Sequence, residues 1–186
     1  MTKLEEMLPD MYRQMHNEGA FKGDTWTAHR QALNEFLAFR TSGGILDFGC
    51  GPKGGLGAYY GPMRVVSYDP YVAEYSEDPW NKDFDTFFSC DVFEHLQQDA
   101  LLQLMRRLCK HTSINFVFIA LSTRPANKLL PNGLNAHLTI RTPQWWDGFF
   151  AASLGPHFVA EIQRVDLLRD DAVFAFARKG FARKGI

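Results

Sequence analysis

The sequence has few of the features that mark secreted, zinc-stabilised or membrane-spanning proteins. It contains three cysteines among 186 residues and no C-x-x-C pair, so neither a zinc scaffold nor a disulfide framework is expected. The longest strongly apolar run, 116–121, is too short to cross a bilayer. The N-terminus is acidic and lacks the apolar stretch of a secretory signal. We therefore expect a cytoplasmic protein with reduced thiols and no membrane partner.

A charge excess of either sign is also absent. The formal net charge is −1, so the surface as a whole does not attract nucleic acid, whose phosphates must be neutralised by Lys and Arg. A local basic patch would still be compatible with this balance. Apolar residues make up 46% of the chain, which is enough for a packed core, and the length fits a single domain over 1–186.

The chain divides into three zones. Residues 1–43 predict a helical cap, in which Pro9 could break the first helix and Asp24 or Thr25 could cap the second. Residues 44–179 are predicted to form the core, and residues 180–186 are predicted to form a basic tail.

Strands and helices alternate through the core. Short apolar runs predict strands at 45–48, 64–68, 84–90 and 114–121, and amphipathic spacing predicts helices at 97–110 and 143–153. Two further strands, 158–165 and 172–178, flank a polar turn. The predicted fold class is therefore α/β: a doubly wound, Rossmann-like, mostly parallel sheet that ends in an antiparallel hairpin.

A glycine-rich loop follows the first predicted strand. Its glycines, Gly49 and Gly51, let the backbone turn tightly and approach a ligand. Asp69 comes twenty residues after Gly49, at the end of the next strand, where a carboxylate can accept both ribose hydroxyls of an adenosine. Gly54 completes a G-x-G-x-x-G pattern, so an NAD-dependent oxidoreductase is one interpretation. Asp47 favours S-adenosylmethionine instead, because its carboxylate can reach the amino-acid end of that cofactor.

The segment Ile45-Leu-Asp-Phe-Gly-Cys-Gly-Pro resembles the glycine motif of the class I S-adenosylmethionine-dependent methyltransferase superfamily. Asp69 and the segment Asp91-Val-Phe-Glu94-His95-Leu follow in that superfamily's order, and the resemblance covers about residues 44–178. It implies S-adenosyl-L-methionine as cofactor and S-adenosyl-L-homocysteine as product.

The resemblance also assigns the cofactor-binding residues. Gly49 and Gly51 would line the methionine moiety, Asp69 would hold the ribose, and the backbone near Cys90 and Asp91 would approach the sulfonium. The remaining members of the predicted cofactor site are Asp47, Cys50 and Pro70. One departure is that only about fourteen residues separate Asp69 from Phe84, too few for the usual helix and third strand. The adenine side would then be open, or closed by Tyr71, Tyr75 or Trp80.

The segment Asp91-x-x-Glu94-His95 is similar to the E-x-x-E-H segment of ubiquinone-biosynthesis O-methyltransferases and of small-RNA terminal 2′-O-methyltransferases. The RNA enzymes add a later histidine, for which His137 is the candidate here. Glu94, His95 and His137 are the predicted catalytic residues, with a histidine as general base. In those families such side chains can hold a divalent metal, but the shorter Asp91 in place of Glu makes a metal the less favoured interpretation.

The loop 122–142 is long, and we expect it to form the acceptor pocket with Trp145, Trp146 and the N-terminal helices. The predicted function is methyl transfer to an oxygen or nitrogen of a small or medium-sized metabolite. A nucleic-acid or nucleotide-modifying methyltransferase is the alternative, and an oxidoreductase or a catalytically inactive partner subunit are further ones. The acceptor's identity and the oligomeric state stay open.

Overall fold

A computed structural model of the chain describes residues 3–21, 23–38 and 43–181. The helices are α1 (Lys3–Asn17), α2 (Arg30–Leu37), α3 (Gly55–Tyr60), α4 (Gln98–Lys110) and α5 (Pro143–Leu154), and a 3₁₀ turn, Thr25–His29, leads into α2. The strands are β1 (Ile45–Phe48), β2 (Val65–Tyr68), β3 (Thr86–Cys90), β4 (Phe116–Ser122), β5 (Phe158–Asp166) and β6 (Asp171–Arg178). No helix in these ranges has the length and apolar character needed to cross a membrane.

The strands form one six-stranded sheet in the order β2-β1-β3-β4-β6-β5. The first four are parallel, and β6 pairs antiparallel with both β4 and β5. This confirms the predicted Rossmann-like sheet with its C-terminal hairpin. The chain leaves β1 towards β2 and then returns to β3 on the other side of β1. Open α/β sheets bind ligands at such a reversal, beyond the carboxyl ends of the strands.

Alternating side chains of the central strands build the two sides of the core, as the two-residue period of a strand requires. On one face, Val117, Ile119 and Leu121 pack with apolar residues of α4 and α5. On the other face, Phe118 and Ala120 pack with Trp26 and with α2. The N-terminal residues are therefore joined to the sheet through a shared core.

The N-terminal helices differ in detail from the sequence predictions. Pro9 does not divide the first helix, because α1 runs continuously from Lys3 to Asn17. The apolar face of α1 packs on Leu130 and Ala136 of the loop after β4, which stabilises the helix despite its proline. Asp24 precedes a 3₁₀ turn and makes no side-chain capping bond. The predicted basic tail lies outside the described residues from 182 onwards.

The structure confirms that the segment between Asp69 and Phe84 contains no third strand. Between β2 and β3, the described chain contains only the short 3₁₀ turns Ala73–Tyr75 and Pro79–Asn81. The sheet therefore ends at β2, and Asp69 lies at its edge strand.

Candidate active site

The glycine loop lies at the carboxyl end of β1, where the sheet order reverses. Gly49 and Gly51 have φ values of +84° and +67°, a region that side chains with a Cβ rarely adopt. A Cβ on Gly49 would collide with Val92, and a Cβ on Gly51 would lie 2.9 Å from the Cα of Gly23. Both glycines are therefore required by backbone shape and by close packing across the loop.

Two buried carboxylates support this loop. Asp47 Oδ2 accepts a hydrogen bond from the Leu56 N–H at 2.7 Å and braces the start of α3. Asp69 Oδ2 accepts from the Gly51 N–H at 3.1 Å, and Asp69 Oδ1 accepts from the Tyr71 N–H at 2.9 Å. Burial is the main reason that the pKa of Asp47 is raised to about 7. The two acids connect the glycine loop with the ends of β1 and β2.

Three of the seven predicted cofactor residues line one narrow cleft. Asp47, Gly49 and Cys50 line it, and its volume is about 10 Å³. Cys90, whose backbone was expected near the sulfonium, is another wall, and further walls come from residues that sequence reasoning did not assign to the cofactor: Gly23, Thr25, Trp26, Gly55 and Phe88. Asp69 adjoins the cleft through its bond to Gly51. Pro70, the next residue, is exposed.

The predicted catalytic residues also come together. One potential metal-binding atom from each of Glu94, His95 and His137 lies within 4.8 Å of the other two. Glu94 is fully buried, and its Oε1 accepts from the Ser122 N–H at 2.9 Å and lies 4.0 Å from His137 Nε2. Its Oε2 has no hydrogen-bond partner among the described residues. Burial, the main cause, raises the pKa of Glu94 well above its usual range.

Backbone carbonyls orient both imidazoles in the same way. His95 Nδ1 lies 2.8 Å from the Ala136 carbonyl, and His137 Nδ1 lies 2.6 Å from the Arg124 carbonyl. A carbonyl only accepts, so Nδ1 carries the proton in each ring and the Nε2 lone pair is left free. Burial lowers the pKa of His137 and lowers that of His95 to about 3. Both rings are therefore neutral near pH 7, and Nε2 is the atom of each ring that could take a proton or bind a metal; the low pKa of His95 makes that ring a weak proton acceptor.

Asp91 does not join this trio. A carboxylate oxygen of Asp91 lies within 4.8 Å of potential metal-binding atoms of His29 and Cys90. The Asp91 backbone has φ +53°, which is unusual for a residue with a side chain. Asp171 Oδ2 lies 3.9 Å from His29 Nε2, which adds a second acid to the same group. His29 was not assigned to the site from the sequence, since no local pattern in the sequence brings it to Asp171.

The loop after β4 packs against α1. The Tyr12 hydroxyl donates to the Ala136 carbonyl at 2.7 Å. A groove of about 420 Å³ lies between the two segments and is lined by Gln14, Met15, Glu18, Ala20, Lys128, Leu129 and Pro131. Trp146 is fully buried in the core, whereas Trp145 is half-buried and stacks on Phe149. Trp146 therefore packs α5 on the sheet instead of lining the pocket.

Comparison with known proteins identifies the fold. No protein-family model matches the chain, and no curated protein is significantly similar to it. Among solved structures, a complex of DhpI with S-adenosylhomocysteine aligns at a TM-score of 0.63 and 16% identity, covering 94% of this chain and 96% of DhpI. The chain has the class I methyltransferase fold.

Two further structures with the class I methyltransferase fold align with the chain. The small RNA methyltransferase HEN1 has a TM-score of 0.59 and 12% identity, covering 88% of this chain and 26% of HEN1. The 16S rRNA methyltransferase RmtF, in complex with S-adenosylhomocysteine, has a TM-score of 0.53 and 11% identity. That alignment covers 82% of this chain and 63% of RmtF. At such identities the likeness concerns the class I methyltransferase fold and not the acceptor.

Proposed function

We propose that the protein is an S-adenosylmethionine-dependent methyltransferase that acts on an oxygen or nitrogen of a small or medium-sized metabolite. The observation that carries the proposal is the pair of neutral imidazoles beside the buried Glu94, at the sheet edge that also holds the glycine loop. The class I methyltransferase fold supports it, since two of its neighbours were solved with S-adenosylhomocysteine.

The residues of the glycine loop fit the cofactor. Gly49 and Gly51 hold the loop backbone in the left-handed turn beside which the methionine moiety would lie. Asp47 would face its amino end, and Asp69 would accept the ribose hydroxyls. When bound, S-adenosylmethionine supplies an activated methyl group on a positively charged sulfur.

The histidines would act on the acceptor. As the acceptor's oxygen or nitrogen bonds to the methyl carbon, the carbon–sulfur bond breaks and its electron pair stays on sulfur. The acceptor's proton would pass to Nε2 of His137, because the low pKa of His95 makes that ring the weaker base. The carbonyls of Ala136 and Arg124 keep each ring in the tautomer that this transfer needs. Closely packed side chains around the site would exclude water and hold the acceptor in line.

The same trio fits a divalent cation. Glu94 Oε2, which has no partner in the described chain, is a donor of the kind that Mg²⁺ or Mn²⁺ prefers, whereas the two Nε2 lone pairs suit a softer transition-metal ion better. Such an ion would lower the pKa of an acceptor hydroxyl. Asp91, the fourth ligand that the sequence suggested, groups instead with His29 and Cys90.

The groove beside α1 has a volume of about 420 Å³, which lies in the range of small-molecule sites, roughly 300–1,000 Å³. Glu94, His95 and His137 do not line it, so it supports a small acceptor by its size and not by contact with the predicted catalytic residues. A nucleic-acid acceptor is the second candidate, because HEN1 and RmtF are named as RNA methyltransferases and share the fold. Methyl transfer to RNA that weakens steeply with salt would favour this second candidate.

Titration calorimetry with S-adenosylmethionine, S-adenosylhomocysteine and NAD⁺ tests the proposed function. Binding of the two sulfur compounds without NAD⁺ is the expected result. Binding of NAD⁺ alone would contradict the proposal and reassign the G-x-G-x-x-G pattern to a dinucleotide. If the two sulfur compounds bind, transfer of a labelled methyl group to a metabolite in a mixed pool would distinguish an enzyme from an inactive partner subunit.

A further inference from the structure

A second group of metal-binding side chains lies where β3 ends, apart from the predicted catalytic residues. One potential ligand atom from each of His29, Cys90 and Asp91 lies within 4.8 Å of the other two. Cys90 is 9% exposed, and the side chain of His29 is also 9% exposed. An imidazole, a thiol and a carboxylate are therefore held together at the surface of the core, and only the last two are neighbours in the sequence.

Strand register adds two more polar side chains to this group. Asp171 begins β6, and the two-residue period of a strand puts it on the same face as Val173, which packs in one core cluster with Cys90. Its Oδ2 lies 3.9 Å from His29 Nε2. Ser122 is paired with Asp171 across β4 and β6, so its side chain is on that face too. The Ser122 hydroxyl is buried and has no hydrogen-bond partner among the described residues, as expected of a group that faces an absent ligand.

The donor atoms and their spacing fit Zn²⁺. Zinc binds Cys sulfur, His nitrogen and Asp oxygen at about 2.0–2.3 Å, so the ligand atoms of one site lie within roughly 4.5 Å of one another. The three atoms here are within 4.8 Å, so small side-chain rotations bring them to one ion. Thr25 Oγ1 lies 4.0 Å from Cys90 Sγ, where its hydroxyl can donate to a thiolate, and Asp171 faces the ring of His29. Partners of this kind orient the ligands of metal sites, and a thiolate selects zinc over Mg²⁺.

We propose that His29, Cys90 and Asp91 form a zinc site in which Asp171 orients His29. The thiol gives its proton to solvent as the ion binds, and water takes the fourth position. The ion ties the Thr25–His29 turn to the end of β3, so packing of the N-terminal residues on the sheet is coupled to metal binding. The site does not depend on the proposed cofactor, and its thiolate distinguishes it from the predicted catalytic residues, which contain no sulfur.

Titration with Co²⁺ makes the thiolate ligand visible. The full chain, kept reduced and stripped with a chelator, should develop a thiolate-to-cobalt charge-transfer absorption that saturates at a single ion per chain and disappears when Zn²⁺ displaces Co²⁺. Cys90→Ala should abolish this absorption. Cys109→Ala is the matched control and should keep it, because the Cys109 thiol contacts the Ser153 carbonyl, away from the group. No such absorption in the unmodified protein, or its persistence in Cys90→Ala, would overturn the zinc site.

Thermal unfolding with Zn²⁺ alone gives a second measurement. At about 100 times its Kd, Zn²⁺ should raise the melting temperature of the unmodified protein by about 5–11 °C, because it binds only the folded chain. His29→Ala should lose most of this rise, whereas His157→Ala, at an exposed position before β5, should keep it. Asp171→Asn should weaken Zn²⁺ binding about 10–100-fold, the usual effect of losing the partner of a ligand.

Two outcomes of this measurement would contradict the site. The first is the absence of any Zn²⁺-dependent rise in the unmodified protein. The second is a rise that His29→Ala and Cys90→Ala both keep in full, which would assign the ion to the predicted catalytic residues instead. Circular dichroism of each metal-free variant shows whether it is folded, and the His29 variant serves if Cys90→Ala is not. Neither measurement uses S-adenosylmethionine, so failure of the proposed function would leave these results unchanged.

Discussion

Replacement of Asp47 by Asn should stabilise the protein in a strongly pH-dependent way. Asp47 is 3% exposed at the end of β1, and its hydrogen bond to the Leu56 N–H is one that an Asn side-chain oxygen can also accept. Burial, the main cause, raises its pKa from 3.8 to about 7, and the charge of Asp69 adds to this shift. Folding therefore disfavours the ionised form of this carboxyl group.

The sign and size of the effect follow from proton linkage. Between the unfolded pKa of 3.8 and the folded pKa of about 7, the folded protein binds a proton that the unfolded chain has lost. The stabilisation is full below this window and falls as pH rises through it, by about 1.4 kcal/mol per pH unit. From pH 5 to pH 7 the loss amounts to about 3 kcal/mol. The Asn side chain in the Asp47→Asn variant does not ionise, so the variant should not show this loss of stability.

Urea and thermal unfolding at pH 5, 6, 7 and 8 measure the difference. We expect the variant and the wild type to agree below about pH 4, and the variant to be about 1.5 kcal/mol more stable at pH 5 and about 4 kcal/mol more stable at pH 7 and above, or roughly 8–16 °C in melting temperature at pH 7. Asp147→Asn, at an exposed position on α5, is the matched control. A difference that stays the same from pH 5 to pH 8 would refute the reasoning. Weaker S-adenosylmethionine binding by the stabilised variant would show that Asp47 is kept for the ligand.

Three further outcomes are expected. Asp69→Ala should weaken S-adenosylmethionine binding at least tenfold in calorimetry, since one lost charged hydrogen bond contributes about 1.5–3 kcal/mol, and unchanged affinity would defeat the ribose assignment. His137→Ala should lower turnover about 100-fold or more with little change in cofactor affinity, and full activity would remove His137 from the mechanism. If Glu94, His95 and His137 hold a metal, EDTA should abolish activity and Mn²⁺ or Mg²⁺ should restore it, whereas full activity in EDTA would leave the histidines as proton acceptors alone.

The sheet was the most predictable part of the molecule. β1 begins and ends where its apolar run predicts, and β3 and β4 start two residues later than predicted. Apolar runs locate buried strands because both faces of a parallel sheet are covered. The end of β1, the glycine loop and Asp69 were predictable because local backbone shape and strand order bring them together.

The N-terminal contacts with the site could not be predicted in this way. The contact of Thr25 with Cys90 joins residues 65 positions apart, and no periodic pattern reports such a pairing. The position of Asp91 beside His29 depends on a left-handed backbone conformation, which the residue type alone does not predict. His16 is the exception, because it lies four residues after Tyr12 on the buried face of α1, where a histidine is unusual.

The short link between β2 and β3 explains why the N-terminal helix reaches the cofactor residues. Without a third strand, nothing in the sheet covers the outer side of Asp69. α1 takes that position instead: Tyr12 stacks on Tyr71 at 5.6 Å, and His16 approaches Asp69. The same helix packs on Leu130 and Ala136, next to His137. One helix, and not a strand, therefore packs both on the outer side of Asp69 and on the loop that carries His137, so a substitution on the buried face of α1 should affect both sides of the site.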